Sequence, residues 1–123
     1  MIIQFTKRSL QPGITVFEII GSINAGPECA KLEREVVAKI AAGETRVIFD
    51  MAGVTHADSA AIGALVKCLT KLKKAGGALR IASAQPMIAY SLQLTKVDKL
   101  IEMFASVDEA ASGFGGPGHS AAP

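Results

Sequence analysis

Hydrophobic and polar residues along the chain follow the pattern of strands alternating with helices. Two apolar, β-branched runs at 2–6 (IIQFT) and 14–20 (ITVFEII) each predict a strand. The segment 11–13 (QPG) between them favours a turn, so we expect these two strands to pair antiparallel. Residues 21–27 (GSINAGP) then predict a loop that leads into the first helix.

Two amphipathic helices are the clearest features of the pattern. The first is predicted over 27–42, where Pro27 suits the first turn, and it ends at Gly43. Its apolar stripe recurs every four residues, at Leu32, Val36 and Ile40. The second starts near Asp58 and runs to about Ala75. Its apolar stripe has the spacing of a core face and consists of Ile62, Leu65, Val66, Leu69 and Leu72.

Shorter elements complete the chain. The apolar run 46–50 (RVIFD) predicts a strand covered on both faces, and 51–57 (MAGVTHA) is expected to be a loop. Residues 78–83 and 100–104 predict two more strands, with a helix over 86–94 between them. Met87, Leu92 and Leu94 of that helix are assigned to the core. Ser106 and Glu109 form a capping box that predicts a final short helix.

This order predicts one α/β domain. We expect a mixed, mostly parallel sheet of about five strands with about four helices and an antiparallel first strand. The strand order in the sheet does not follow from the sequence. The domain is expected to cover 1–111, and the Gly/Ser/Pro-rich segment 112–123 predicts a disordered tail.

Composition and charge narrow the function. The 123 residues carry 13 basic and 11 acidic side chains and only six aromatic ones, which argues against a nucleic-acid partner. Cys29 and Cys68 lie at apolar helical positions outside any metal-ligand spacing, so we expect buried free thiols. Neither a signal peptide nor a membrane span is indicated, so a cytoplasmic protein is expected. No metal or cofactor site is predicted.

The junction at Asp58 and Ser59, between a strand and a helix, is the most informative segment. Both side chains have an oxygen that can accept hydrogen bonds from the free N–H groups of a helix start. On these residues alone, either one could be the N-cap, and capping would be a sufficient reason for its presence.

Four segments together resemble the STAS family, the anti-sigma-factor antagonists, over roughly residues 2–111. The segment 21–24 (GSIN) is similar to the family's Gly-x-Leu-Asp, and 46–54 (RVIFDMAGV) to its hydrophobic strand with an acidic residue and a short loop. The segment 58–65 (DSAAIGAL) resembles Asp-Ser-(Ser/Thr)-Gly-(Leu/Ile)-Gly-x-(Leu/Val). Finally, 74–82 (KAGGALRIA) carries the family's Gly-Gly before the fourth strand.

The resemblance implies a regulatory switch. Ser59 corresponds to the family's phosphoacceptor serine and Asp58 to its motif aspartate, with Asn24 as a supporting residue. The implied partners are an anti-sigma factor that is also a serine protein kinase, with a histidine-kinase-like ATPase fold, and a phosphatase. Phosphorylation would switch off binding and so regulate transcription. We expect partner contacts from the two loops and the helix start, at Ser22, Ile23, Asn24, His56, Ala57, Asp58, Ser59, Ala60, Ile62 and Gly63.

The chain also departs from the family pattern. Asn24 stands where the family often has an aspartate, and Ala60 and Ala61 replace a hydroxyl residue and a glycine. An alternative is therefore an accessory STAS subunit of a lipid-transport or stress-sensing complex, in which Ser59 is only a helix cap. An enzyme is not expected, because no nucleophile–base pair or cofactor loop is present in the sequence.

Overall fold

The computed structural model describes the backbone of residues 4–11 and, with side chains, residues 14–23 and 26–112. The predicted turn at 12–13, Asn24 and the predicted tail from residue 113 lie outside the described residues. The elements are β1 (Gln4–Gln11), β2 (Ile14–Ile23), α1 (Pro27–Ala41), β3 (Arg46–Ala57), α2 (Ser59–Lys74), β4 (Ala78–Ala82), α3 (Pro86–Leu94), a 3₁₀ turn (Val97–Lys99), β5 (Glu102–Phe104) and α4 (Val107–Ser112).

The described strands form one sheet in the order β1-β2-β3-β4-β5. β1 pairs antiparallel with β2, and the other three pairings are parallel. Because each parallel strand lies beside the next one in sequence, right-handed crossovers place the connecting helices on one face of the sheet. The predicted α/β class, with four helices and a mostly parallel sheet, is confirmed.

β3 is much longer than predicted, and the expected loop at 51–57 is wrong. The strand continues to Ala57, and β2 likewise continues through 21–23 beside it. The pairing of β2 with β3 shifts twice, between Glu18 and Ile20 and between Gly21 and Ser22, and each shift places an extra residue in β3. Such bulges break the two-residue alternation, which explains why the sequence pattern reads as a loop.

The main core lies between the sheet and the helices α1, α2 and α3. Phe17 and Phe49 are fully buried at its centre, with ring centroids 5.7 Å apart. The predicted stripes of α1 and α2 pack against them, with Leu32, Leu65 and Leu72 fully buried. Each such side chain contributes about 1.5–3 kcal/mol to stability by leaving water. This packing fixes the start of α2 relative to the end of β3.

α3 corrects one sequence assignment. Leu92 is buried as predicted, but Met87 and Leu94 are 75% and 65% exposed and do not belong to the core. The helix is apolar on both faces, and periodicity does not tell which face packs on the sheet when both are apolar.

α4 covers the opposite face of the sheet, where Ile14, Val16 and Ile48 are buried. The Ser106 hydroxyl oxygen accepts a hydrogen bond from the Glu109 N–H at 3.1 Å, which is the cap that the sequence predicts. The Arg80 guanidinium anchors the end of this helix, since Nη1 donates to the Ala110 carbonyl oxygen at 3.0 Å.

Candidate functional site

Asp58 is the N-cap of α2, and Ser59 is the first residue of the helix. The Asp58 backbone is extended, and its carboxylate oxygen Oδ1 accepts a hydrogen bond from the Ala61 N–H at 2.8 Å. The hydroxyl of Ser59 is exposed and is not required for capping. The structure therefore decides between the two residues that the sequence left open as caps.

The ends of β2 and β3 lie side by side below this helix start. Ser22 pairs with His56 and Ile23 with Ala57, and the Asp58 N–H donates to the Ile23 carbonyl oxygen at 3.2 Å. The carboxyl ends of β2 and β3 thus bring together the two segments that were expected to contact a partner. Both segments were predicted as loops, but in the structure they are the ends of strands. Asn24 lies outside the described residues.

The bulged part of β3 is held by polar contacts. The Asp50 carboxylate oxygen Oδ1 accepts from the Ala52 N–H at 3.1 Å, two residues along the strand. The Gln85 side chain, just before α3, donates through Nε2 to the Ala52 carbonyl oxygen at 2.6 Å. Bulges are common beside functional sites because they redirect side chains, and this one precedes Asp58. The contact between Gln85 and Ala52 does not follow from the sequence pattern, because the two residues are 33 positions apart.

The predicted partner contacts divide into two groups by exposure. The exposed group comprises His56, Asp58, Ser59, Ala60 and Gly63, with Ala57 half-buried. The buried group comprises Ser22, Ile23 and Ile62. Ile23 and Ile62 pack in the main core, and Ser22 is also buried, so partner contact stays a prediction that the exposed side chains are better placed to fulfil.

The surface around Asp58 has acidic character on the α1 side. Burial raises the pKa of the Cys29 thiol, and the carboxylates of Asp58, Glu33 and Glu28 raise it further. Three carboxylates therefore act on one buried point at the start of α1. The Lys67 ammonium group opposes them and lowers the Cys29 pKa, and a further negative charge on Ser59 would be added directly beside Asp58.

An open groove of about 680 Å³ continues from this region along α1. Gly26 and Cys29 line one end, Val37 lies further along the helix, and Lys71 of α2 is on the wall. The amphipathic pattern of α1 predicts its apolar stripe and does not indicate a concave surface on the outer side of the helix. A groove of this kind depends on how α1 and α2 pack against each other, which the sequence pattern of either helix does not show.

Cys29 and Cys68 are buried free thiols, as predicted. Among the described residues, no cluster of three or more His, Cys, Asp or Glu side chains is placed to hold a metal ion. None of the described helices has the length and hydropathy that crossing a membrane requires.

Comparison with known proteins agrees with this architecture. The STAS domain family model matches residues 8–110. An anti-sigma factor antagonist from Mycobacterium paratuberculosis superposes with a TM-score of 0.79 at 22% identity, covering 90% of this chain and 92% of that one. The Bacillus cell fate determinant SpoIIAA in its phosphorylated form gives 0.71 at 16% identity, covering 90% and 99%.

A protein of another kind has the same fold. A sulfate transporter family protein from Wolinella succinogenes superposes with a TM-score of 0.67 at 16% identity, covering 84% of this chain and 85% of that one. At these identities the structural similarities establish the fold alone. The family model, which spans most of the chain, establishes more: this chain belongs to the STAS domain family.

Proposed function

We propose that this chain is an anti-sigma-factor antagonist that binds an anti-sigma factor with serine kinase activity and is switched off by phosphorylation of Ser59. The observation that carries the proposal is the division of roles at the start of α2. Asp58 caps the helix, so the exposed Ser59 hydroxyl is available to a kinase without loss of the cap. A phosphatase would reset the switch.

The folded chain is expected to tolerate a phosphate at this position. The first N–H groups of a helix lack intrahelical acceptors and carry the positive end of the helix dipole, which favours a negative group. Ser59 is exposed, so no buried group has to move to accommodate the phosphate. The modification would therefore change the surface and leave the packing unchanged.

A docked partner would respond differently. The phosphate adds about −1.5 to −2 charge directly beside the Asp58 carboxylate. A partner surface that packs over Ser59 would strip water from the phosphate, which costs free energy. Unless that surface is strongly basic, the phosphate would also repel it. Since about 1.4 kcal/mol changes affinity tenfold, such a penalty is enough to release the partner.

The departures from the family pattern fit this proposal. Ala61 is fully buried, so its methyl group packs in the core and does not alter the exposed surface. Ala60 is exposed beside Ser59 and is a good helix former. We expect these residues to make the start of α2 more rigid and to change which partner surface it fits.

The proposal makes the chain a binding module of the cytoplasm with no enzymatic activity of its own and no nucleic-acid partner. An alternative is an accessory STAS subunit of a lipid-transport or stress-sensing complex, and the fold shared with a sulfate transporter family protein shows that this fold also occurs outside anti-sigma-factor antagonists. In that case Ser59 is not a switch and the surface at the start of α2 contacts an assembly component.

Incubation with the anti-sigma kinase of the same organism and ATP, followed by peptide mass spectrometry, tests the proposal. The expected result is one phosphate, on Ser59, and none on the Ser59→Ala variant. Thr70, which is also exposed on α2 but three turns away, is the internal control and should remain unmodified. A phosphate on another residue with Ser59 unmodified, or no phosphate together with no binding of the kinase, contradicts the proposal.

A further inference from the structure

The outer face of α3 is an exposed apolar surface that the site at Ser59 does not use. Met87, Tyr90 and Leu94 follow one another at helical spacing and are 75%, 59% and 65% exposed. Leu100, just beyond the 3₁₀ turn, adds a fourth side chain at 53%. We call these four residues the α3 stripe. The opposite side of the helix packs on the core through Ile88 and Leu92.

A helix that is apolar on both faces is normally covered on both. Together the four side chains expose on the order of 400 Å² of surface, which is in the range of the largest apolar patch on a typical monomer, and such patches are often functional. Isolated exposed apolar residues need no explanation, but Met87, Tyr90 and Leu94 follow a single helix face.

The charges around the stripe favour a second copy of this chain as the occupant. α3 has no acidic or basic residue anywhere along its length, so two copies can approach through it without like-charge repulsion. A two-fold axis across the helix makes the two α3 helices antiparallel. Lys96 and Lys99, which follow the helix, then lie at opposite ends of the contact and face the uncharged start of the other copy.

The area agrees with a weak dimer. Complete burial of two stripes that face each other would cover on the order of 800 Å² of surface, and the polar rim residues Ser91, Gln93 and Thr95 would bring the total to about 1,000 Å². That is the lower limit of specific interfaces. Tyr90 lies in the middle of the stripe and would sit closest to the axis, with its hydroxyl able to reach the wet rim.

We infer that the α3 stripe is the contact surface of a weak, two-fold symmetric homodimer in which the α3 helices pack antiparallel. This goes beyond the proposed switch, since it needs neither the kinase nor a phosphate. The dimer would present two Ser59 sites for each assembly.

Sedimentation equilibrium of the full chain across a wide concentration range tests the inference. The wild-type chain is expected to move from 12.8 kDa towards twice that mass as its concentration rises. The Tyr90→Lys/Leu94→Lys variant should associate at least tenfold more weakly. The matched control is Val37→Lys, at an apolar side chain of α1 that is 46% exposed, and it should behave as the wild type. Circular dichroism should show all three folded.

A second measurement locates the contact. Because Cys29 and Cys68 are buried, a Tyr90→Cys thiol is expected to form a disulfide-linked dimer on mild oxidation, while Val37→Cys does not. A wild-type chain that stays monomeric at every concentration overturns the inference. Dimers that persist in the lysine variant, or that do not cross-link through position 90, overturn the assignment to α3. Phosphorylation of Ser59 in the lysine variant keeps these outcomes separate from the proposed function.

Discussion

Removal of the Asp58 carboxylate should cost stability, and removal of the Ser59 hydroxyl should not. Asp58→Ala deletes the oxygen that accepts from the Ala61 N–H at 2.8 Å. Loss of an N-cap costs about 1 kcal/mol, and loss of a negative charge at a helix start adds about 0.3–1 kcal/mol. We therefore expect Asp58→Ala to lower the free energy of unfolding by about 1–2 kcal/mol.

Two further variants separate the cap from the charge. Asp58→Asn keeps an acceptor oxygen and loses only the charge, so its loss should be at most about half of that in the alanine variant. Ser59→Ala should change the free energy of unfolding by less than about 0.5 kcal/mol, because this exposed hydroxyl caps nothing. The control is Asp108→Ala, which removes an exposed carboxylate from the first turn of α4 that is not its cap.

Urea denaturation followed by far-ultraviolet circular dichroism measures these differences. The slope of the free energy of unfolding against urea concentration should be the same for all variants. For a domain of this size, 1 kcal/mol corresponds to a shift of about 4–8 °C in the melting temperature. The reverse order, with Ser59→Ala costing about 1 kcal/mol and Asp58→Ala nothing, would show that Ser59 is the cap. The hydroxyl would then be held by the helix, and the argument for a free phosphoacceptor would be refuted.

Three other substitutions test the fold around the site. Gly77→Ala should lower the free energy of unfolding by about 1–3 kcal/mol, because a Cβ there would meet the Thr45 carbonyl oxygen. Gly63→Ala, in open space on α2, should raise the free energy of unfolding by up to about 1 kcal/mol, and thermal melting of both variants checks this. Burial raises the pKa of the Cys68 thiol from 9.0 to about 12. The contribution of the neutral thiol to the free energy of unfolding is therefore complete below pH 9 and is lost as the pH rises towards 12. Urea titrations at increasing pH should show this fall in the wild type and a smaller fall in Cys68→Ala. Arg80→Ala should cost about 1.5–3 kcal/mol and increase hydrogen exchange in α4, and unchanged exchange there would contradict the anchoring role.

The helices were predictable because their apolar stripes are strong and each ends at a clear signal. α1 and α2 follow the expected ranges within one residue, and Gly43 and Gly76 adopt the positive φ that ends a helix. The long β3 was not predictable, since its two bulges interrupt the alternation on which strand prediction depends.

The candidate site was predictable in position and less so in detail. The sequence indicated Asp58 and Ser59 but could not assign the cap, because both side chains are good caps and only the backbone geometry separates them. It also placed Met87 in the core, since apolar character alone does not show which side of a helix faces the sheet. Contacts such as that of Gln85 with the β3 bulge depend on tertiary packing.

The central claim is that charge at Ser59 alters docking and spares the fold. Calorimetric titration of the wild-type, Ser59→Asp and Ser59→Ala chains into the anti-sigma kinase, with melting curves of the same samples, tests it most directly. We predict at least tenfold weaker binding for Ser59→Asp, near wild-type binding for Ser59→Ala, and melting temperatures within about 3 °C of each other. Equal affinity of all three chains, or a loss of affinity that accompanies unfolding, would contradict the claim.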